Sequence, residues 1–244
     1  AADRPAACWA PLGQALLDYH RGDTGAHFVV HSDLWEDEFT PAEEYYRPFH
    51  QELPELERRA LALCHGRVLD LGAGGGRHAL ELQGRGLAVT ALDVSPEAVE
   101  VMRRRGVLDA RCGGPEAVAG LRFDTILLLM HGIGLVGSLE GLDHFLEAAS
   151  ALLGGGGQVL CDSADLAAVM PALAEHRGPP PGAVRRYYGE VEFRLSYGEV
   201  RGEPYPWLFI DAQRLQRHAE AAGFELEIGA WGARGAYLAR LAKR

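Results

Sequence analysis

The chain has 244 residues and a mass of 26.4 kDa, which suits one domain with an elaboration and is enough for a full core. Apolar residues make up 48 % and charged residues 24 %, ordinary for a folded globular protein. The formal net charge of −10 argues against a broad nucleic-acid surface, which needs clustered Lys and Arg.

Residues 1–65 read as mostly helical, with a break around Asp23 to Pro41. From Arg67 the pattern sharpens. A short apolar run (Val68, Leu69, Leu71) ends in Gly72, Gly74, Gly75 and Gly76. A helix-length stretch follows, then a second apolar run from Ala88 to Leu92 closing on Asp93. This predicts a strand, a tight turn, a helix and a second strand, half of a nucleotide-binding sheet. The glycines allow a sharp turn and a close approach of backbone to ligand. The carboxylate ending the second strand is placed to hold ribose hydroxyls, and its distance from the first glycine is close to the roughly 20 positions expected for that acid.

Ser95-Pro96 opens a helix as N-cap and first-turn proline, and the helix ends near Gly106. Arg103-Arg104-Arg105 at its end, like Arg185-Arg186, reads as a solvated face; cations there suit the helix dipole. Val107 to Cys112 is a third strand. Phe123 to Met130 is apolar enough for a central parallel strand. Ser138 to Leu153 has helical periodicity, and Gly154-Gly155-Gly156-Gly157 reads as its C-cap and turn before a strand from Gln158. Tyr187 to Tyr197 alternates as a hairpin would. Asp211 caps a helix to about Ala222, and Phe224 to Trp231 with Ala236 to Leu241 form a closing hairpin.

The glycines decide between nucleotide ligands. In dinucleotide register the third small residue would be Arg77, large and charged. The sequence fits G-x-G-x-G instead, with Asp70 two residues ahead of Gly72. An acid there repels a pyrophosphate but tolerates a ligand with an ammonium and a sulfonium. With Asp70-Leu71-Gly72-Ala73-Gly74-Gly75-Gly76, the chain resembles the class I S-adenosylmethionine-dependent methyltransferases over roughly residues 67–244, although a glycine-rich turn of another α/β protein stays open. The resemblance implies an α/β fold: a doubly wound, mostly parallel seven-stranded sheet with an antiparallel last strand. Ligands of open α/β sheets sit beyond the C-terminal strand ends, so the chain reads as an N-terminal helical lid (1–65) and a methyltransferase domain (66–244) with a lid and acceptor insertion at about 165–206.

The implied donor is S-adenosyl-L-methionine, with S-adenosyl-L-homocysteine as product. Cofactor contacts are expected from Asp70, Gly72, Ala73, Gly74, Gly76, Asp93, Val94, Gly113, Gly114 and Met130, with Asp70 either meeting the ligand or orienting the glycine loop through backbone amides. Many relatives carry an adenine-binding Asp where this chain has Gly114, so adenine is expected on backbone groups or Glu116. Tyr45, Tyr46 and Arg47 are expected to close over the cofactor, Arg47 against its carboxylate, with Tyr46 and Arg47 as the cofactor contacts; a helix whose tyrosines pack on the core is the alternative. His131, at the fourth strand end, is the candidate catalytic base, or else a packing histidine. Trp207 and Phe209 are acceptor-site or core residues.

Motifs for methylating bases are missing, which with the acidic charge favours a small-molecule acceptor over DNA or RNA. A non-catalytic adenosylmethionine-binding scaffold, a methyltransferase acting on RNA or protein, and a nicotinamide enzyme remain alternatives. Four cysteines (Cys8, Cys64, Cys112, Cys161) lack metal spacing, so no metal site is expected, and they read as reduced thiols in a cytoplasmic protein. No stretch approaches the roughly 18 apolar residues of a membrane span, and the N-terminus does not read as a signal peptide.

Overall fold

The computed structural model describes residues 6–47, 53–171 and 187–244. In chain order, α1 (Ala10–His20) is followed by β1 (His27–Ser32), β2 (Glu38–Pro41), α2 (Glu43–Tyr46) and α3 (Glu55–Leu63). Then come β3 (Arg67–Leu71), α4 (Arg77–Gly84), β4 (Ala88–Asp93), α5 (Pro96–Arg105), β5 (Ala110–Cys112), β6 (Phe123–Leu128), α6 (Leu139–Leu152) and β7 (Leu153–Ala164). The remainder is β8 (Glu190–Tyr197), β9 (Val200–Arg201), β10 (Tyr205–Leu208), α7 (Ala212–Ala221), β11 (Phe224–Trp231) and β12 (Ala236–Lys243).

Seven strands form one sheet in the order β11-β12-β7-β6-β3-β4-β5. β3, β4, β5, β6 and β7 pair in parallel, and β12 runs antiparallel between β7 and β11. This is the expected doubly wound sheet with its antiparallel last strand. The order reverses at β3, so ligands should sit beyond the C-terminal ends of β3, β4 and β6. Both faces are covered. Leu142, Leu146, Leu215 and Ala219 pack on one with Ile126 and Val159. Leu61, Leu82 and Met102 pack on the other with Leu127 and Leu160.

The helix caps follow their side chains. Ser95 accepts from the Ala98 N–H (3.2 Å) and Asp211 from the Arg214 N–H (2.8 Å), each satisfying an orphan donor of a first turn. Gly106 ends α5 at φ 95°, a left-handed conformation cheap for glycine.

Two expectations are corrected. The break in the N-terminal segment is a β-hairpin, β1 with β2, so residues 1–65 are not a mostly helical lid. β1 also pairs antiparallel with β8, and β8 with β9 and β10. The insertion is therefore no isolated hairpin but part of a five-stranded second sheet shared with the N-terminal segment. Its inner face (Phe28, Phe193, Leu195, Tyr205) packs with Leu12 and Leu16 of α1. The second correction concerns Gly154 to Gly157, which lie within β7. The ladder passes from Phe123↔Leu153 to Thr125↔Gln158, so the glycines form a bulge rather than a turn before the strand. Arg185 and Arg186 lie outside the described residues.

Candidate active site

β3 ends in a loop whose Gly72, Gly74 and Gly76 all have positive φ (74°, 51° and 76°). The N–H groups of Gly72 and Ala73 donate to the Leu92 carbonyl (2.9 and 3.1 Å), tying the loop to β4. A Cβ on Gly76 would lie 2.8 Å from Met102 Cγ and 2.9 Å from Val107 Cγ2, so this glycine serves the packing of α4 against α5.

Asp93 accepts from the Gly74 N–H through Oδ2 and the Ser95 N–H through Oδ1, both at 2.8 Å. Each carboxylate oxygen has about two lone-pair sites, so the group keeps acceptor capacity for vicinal hydroxyls while its orientation is fixed by backbone. Burial raises its pKa, against the pull of those N–H groups. Asp70 is 2 % exposed, and its Oδ2 has no hydrogen-bond partner among the described residues. Burial pushes its carboxyl up to about 6, while the charge of His78 works in the opposite direction. A buried acceptor without a partner costs free energy unless a ligand meets it.

These groups open on a cavity of about 420 Å³. Asp70, Gly72, Ala73, Gly74, Asp93, Val94, Gly113, Gly114 and Met130 all line it. Glu116 lines it too, with Oε1 accepting from the Gly114 N–H at 2.6 Å. Gly76 is not in the lining, and neither are Tyr46 and Arg47. Tyr46 is held by His20 (2.9 Å) and under the guanidinium of Arg105 (3.9 Å from the ring centre). Arg47 pairs with Glu43 on the exposed side of α2. Of Tyr45, Tyr46 and Arg47, Tyr45 alone lines the cavity, its phenol pushed up to about 12 by burial.

The cation in the cavity wall is Arg77. Sequence reading used it only against a dinucleotide loop. It is 8 % exposed and donates to Glu57 Oε2 (2.6 Å), which also meets His78 Nε2 at 2.6 Å. Its Nη1 donates to the Glu44 carbonyl (2.5 Å) and lies 3.9 Å from Met130 Sδ, while Nε has no partner among the described residues. One buried guanidinium thus joins α2, α3, α4 and the end of β6. The signal available beforehand was an Arg opening a helix beside a glycine loop; its partner Glu57 is 20 positions away.

After β6 the chain makes a strained turn. Met130 and His131 have φ 63° and 58°, left-handed in two successive non-glycine residues. Asp162 of β7 is 6 % exposed and accepts from the Gly132 N–H at 3.3 Å, holding this turn. Burial raises the Asp162 pKa, against the lowering effect of His131. The His131 ring lies 5.6 Å from Phe209, and its Nδ1 is buried without a partner among the described residues. His131 faces a second cavity, of about 620 Å³. The two cavities share Val30, Tyr45, Met130, Phe193 and Trp207 as walls. Among the described residues no group of three or more His, Cys, Asp and Glu side chains is arranged to hold a metal ion.

A methyltransferase-domain family model matches residues 35–227. A solved S-adenosylmethionine-dependent methyltransferase from Bacteroides fragilis, in complex with S-adenosyl-L-homocysteine, is 38 % identical, with a TM-score of 0.86 over 100 % of this chain and 98 % of that one. The chain belongs to the S-adenosylmethionine-dependent methyltransferases. The CcbJ methyltransferase of Streptomyces caelestis (15 % identity, TM-score 0.56, 79 % of this chain and 97 % of that one) shares the fold. So does the glycopeptide N-methyltransferase MtfA (20 %, 0.54, 81 % and 96 %). Among curated proteins nothing matches the chain. The residues of this methyltransferase fit its donor: Asp93 suits the ribose, Gly113 and Gly114 leave room at the end of β5, and the unpartnered Asp70 Oδ2 suits a cationic group.

Proposed function

We propose that this methyltransferase moves the methyl group of S-adenosylmethionine to a small-molecule acceptor held in the second cavity. The observation that carries this reading is the sharing of walls: the nucleotide cavity and the second cavity adjoin at Met130, beside the only histidine in either lining whose buried Nδ1 has no partner among the described residues. The donor supplies a methyl already activated by a sulfonium charge. The protein holds it through Asp93, Asp70 and the glycine loop. It aligns the acceptor atom at about 3 Å and excludes water, the second sheet closing the site from above. The imidazole of His131, in the wall of the second cavity, is the group that would take a proton from the acceptor. The net charge of −10 supports a small molecule over a nucleic acid.

Titration calorimetry tests the donor side. S-adenosylhomocysteine should bind one-to-one in the micromolar range, and Asp93→Ala should weaken it tenfold or more, since charge-assisted hydrogen bonds are worth roughly 1.5–3 kcal/mol each. Tighter binding of NAD, or unchanged affinity in the variant, would sink the assignment. Incubation with methyl-labelled donor and mixed pools of metabolites, RNA and protein tests the acceptor side. Label should enter the small-molecule fraction; label found only in RNA or protein would contradict the proposal.

A further inference from the structure

The second cavity has a chemistry of its own. Its walls are aromatic: Trp35, Phe193, Trp207 and Phe209 form one connected group, with ring centres 5.6 Å apart for Trp35–Phe193, 6.1 Å for Trp35–Phe209 and 6.0 Å for Phe193–Trp207. Its titratable groups are almost all acids. Asp162 lies at its buried end beside His131, and Glu38, Glu44 and Glu55 line it as exposed residues. Among the described residues lining it there is no Lys or Arg. Glu55 is neutralised by Arg59 (2.7 Å) and the buried Glu57 by Arg77 (2.6 Å). Glu38 and Glu44 have no ion pair among the described residues. Both act electrostatically on Tyr45, which forms the wall common to the two cavities.

This composition selects by charge. Uncompensated carboxylates over low-dielectric aromatic walls focus a negative potential into the cavity, which attracts cations and repels anions. Aromatic faces add cation–π attraction, strongest where the cation is desolvated. Resting on the reading above, that this cavity holds the acceptor, we infer that the acceptor is a small amine: an ammonium on an apolar, ring-sized body, methylated on nitrogen.

The chemistry balances without a further reactant. The bound ammonium gives one proton to the His131 imidazole and becomes a neutral amine. The nitrogen lone pair forms the N–C bond as the S–C bond breaks, and that bonding pair stays on sulfur as a neutral thioether. The product leaves as a secondary ammonium, and His131 returns its proton to solvent. The buried Asp162 beside His131 favours the transient imidazolium.

The test uses the full chain saturated with S-adenosylhomocysteine and three probes on one ring: phenethylamine, 2-phenylethanol and phenylacetate. Saturation is measured first, so a failure of donor binding is seen separately and bears on the assignment above, not on acceptor charge. Calorimetry should rank the amine at least tenfold tighter than the alcohol, with the carboxylate weakest. The double variant Glu38→Gln/Glu44→Gln should lose most of the amine preference while keeping affinity for S-adenosylhomocysteine. A ranking that is flat, reversed or undetectable for all three probes overturns the inference, as does a preference unaffected by the double variant.

Discussion

In the proposed function three residues carry most of the chemistry, and each is placed by backbone more than by neighbouring side chains. Asp93 was legible in the sequence because a strand end and a glycine loop at fixed spacing leave its carboxylate one place to go. Asp70 was legible as an acid near the ligand, but its burial was not. Its carboxyl is raised from the ordinary 3.8 to about 6. A raised acid contributes stability fully below its unfolded value, and that contribution is lost as pH rises through the folded one. The ligand-free protein should therefore lose on the order of 3 kcal/mol from this group between about pH 4 and pH 6. Denaturant titrations of wild type and Asp70→Asn across that range should differ by this slope; parallel curves would contradict it. His131 was legible by position, but its left-handed backbone was not, since nothing in Met130-His131 announces positive φ. His131→Ala should lower turnover by roughly 10²–10⁴ with donor affinity unchanged. His131→Gly should lose turnover equally yet melt higher than His131→Ala, because glycine relieves about 1 kcal/mol of backbone strain. A variant with full turnover per folded molecule would make the histidine a packing residue.

Among the elements, those with local signals were read correctly: α5 between Ser95 and Gly106, α7 after Asp211, the apolar β6. What escaped was pairing over long distances. β1 joins β8, with Val30 opposite Leu195, and no local period in His27–Ser32 reports a partner so far along the chain. For a related reason the sequence does not separate Tyr45 from Tyr46. Adjacent helical residues point about 100° apart, and only packing on Phe28 (ring centres 5.6 Å apart) decides which one turns inward. The joint between elements can be tested at Glu57. Its loss leaves Arg77 buried without its carboxylate, a defect of roughly 3–5 kcal/mol. Glu57→Leu should melt markedly lower and bind S-adenosylhomocysteine more weakly, since Arg77 lines the donor cavity and anchors α2 and Met130. Donor affinity equal to wild type in the folded fraction would show that this ion pair is structural only.

For the whole molecule, the parallel sheet supplies a donor cavity, and the second sheet supplies the far walls of both cavities through Val30, Phe193 and Trp207. The N-terminal segment and the insertion thus form one shared sheet rather than a helical segment and a separate hairpin. No helix among the described residues is long and apolar enough to cross a membrane. In the proposed function the donor's sulfur faces the aromatic, acidic cavity across Met130. A crystal structure with S-adenosylhomocysteine bound tests it most directly. The ribose hydroxyls should lie on Asp93, adenine over Gly113 and Gly114, and the sulfur should open toward His131 and Phe209. Sulfur directed away from the second cavity, or a ribose that does not meet Asp93, would contradict it.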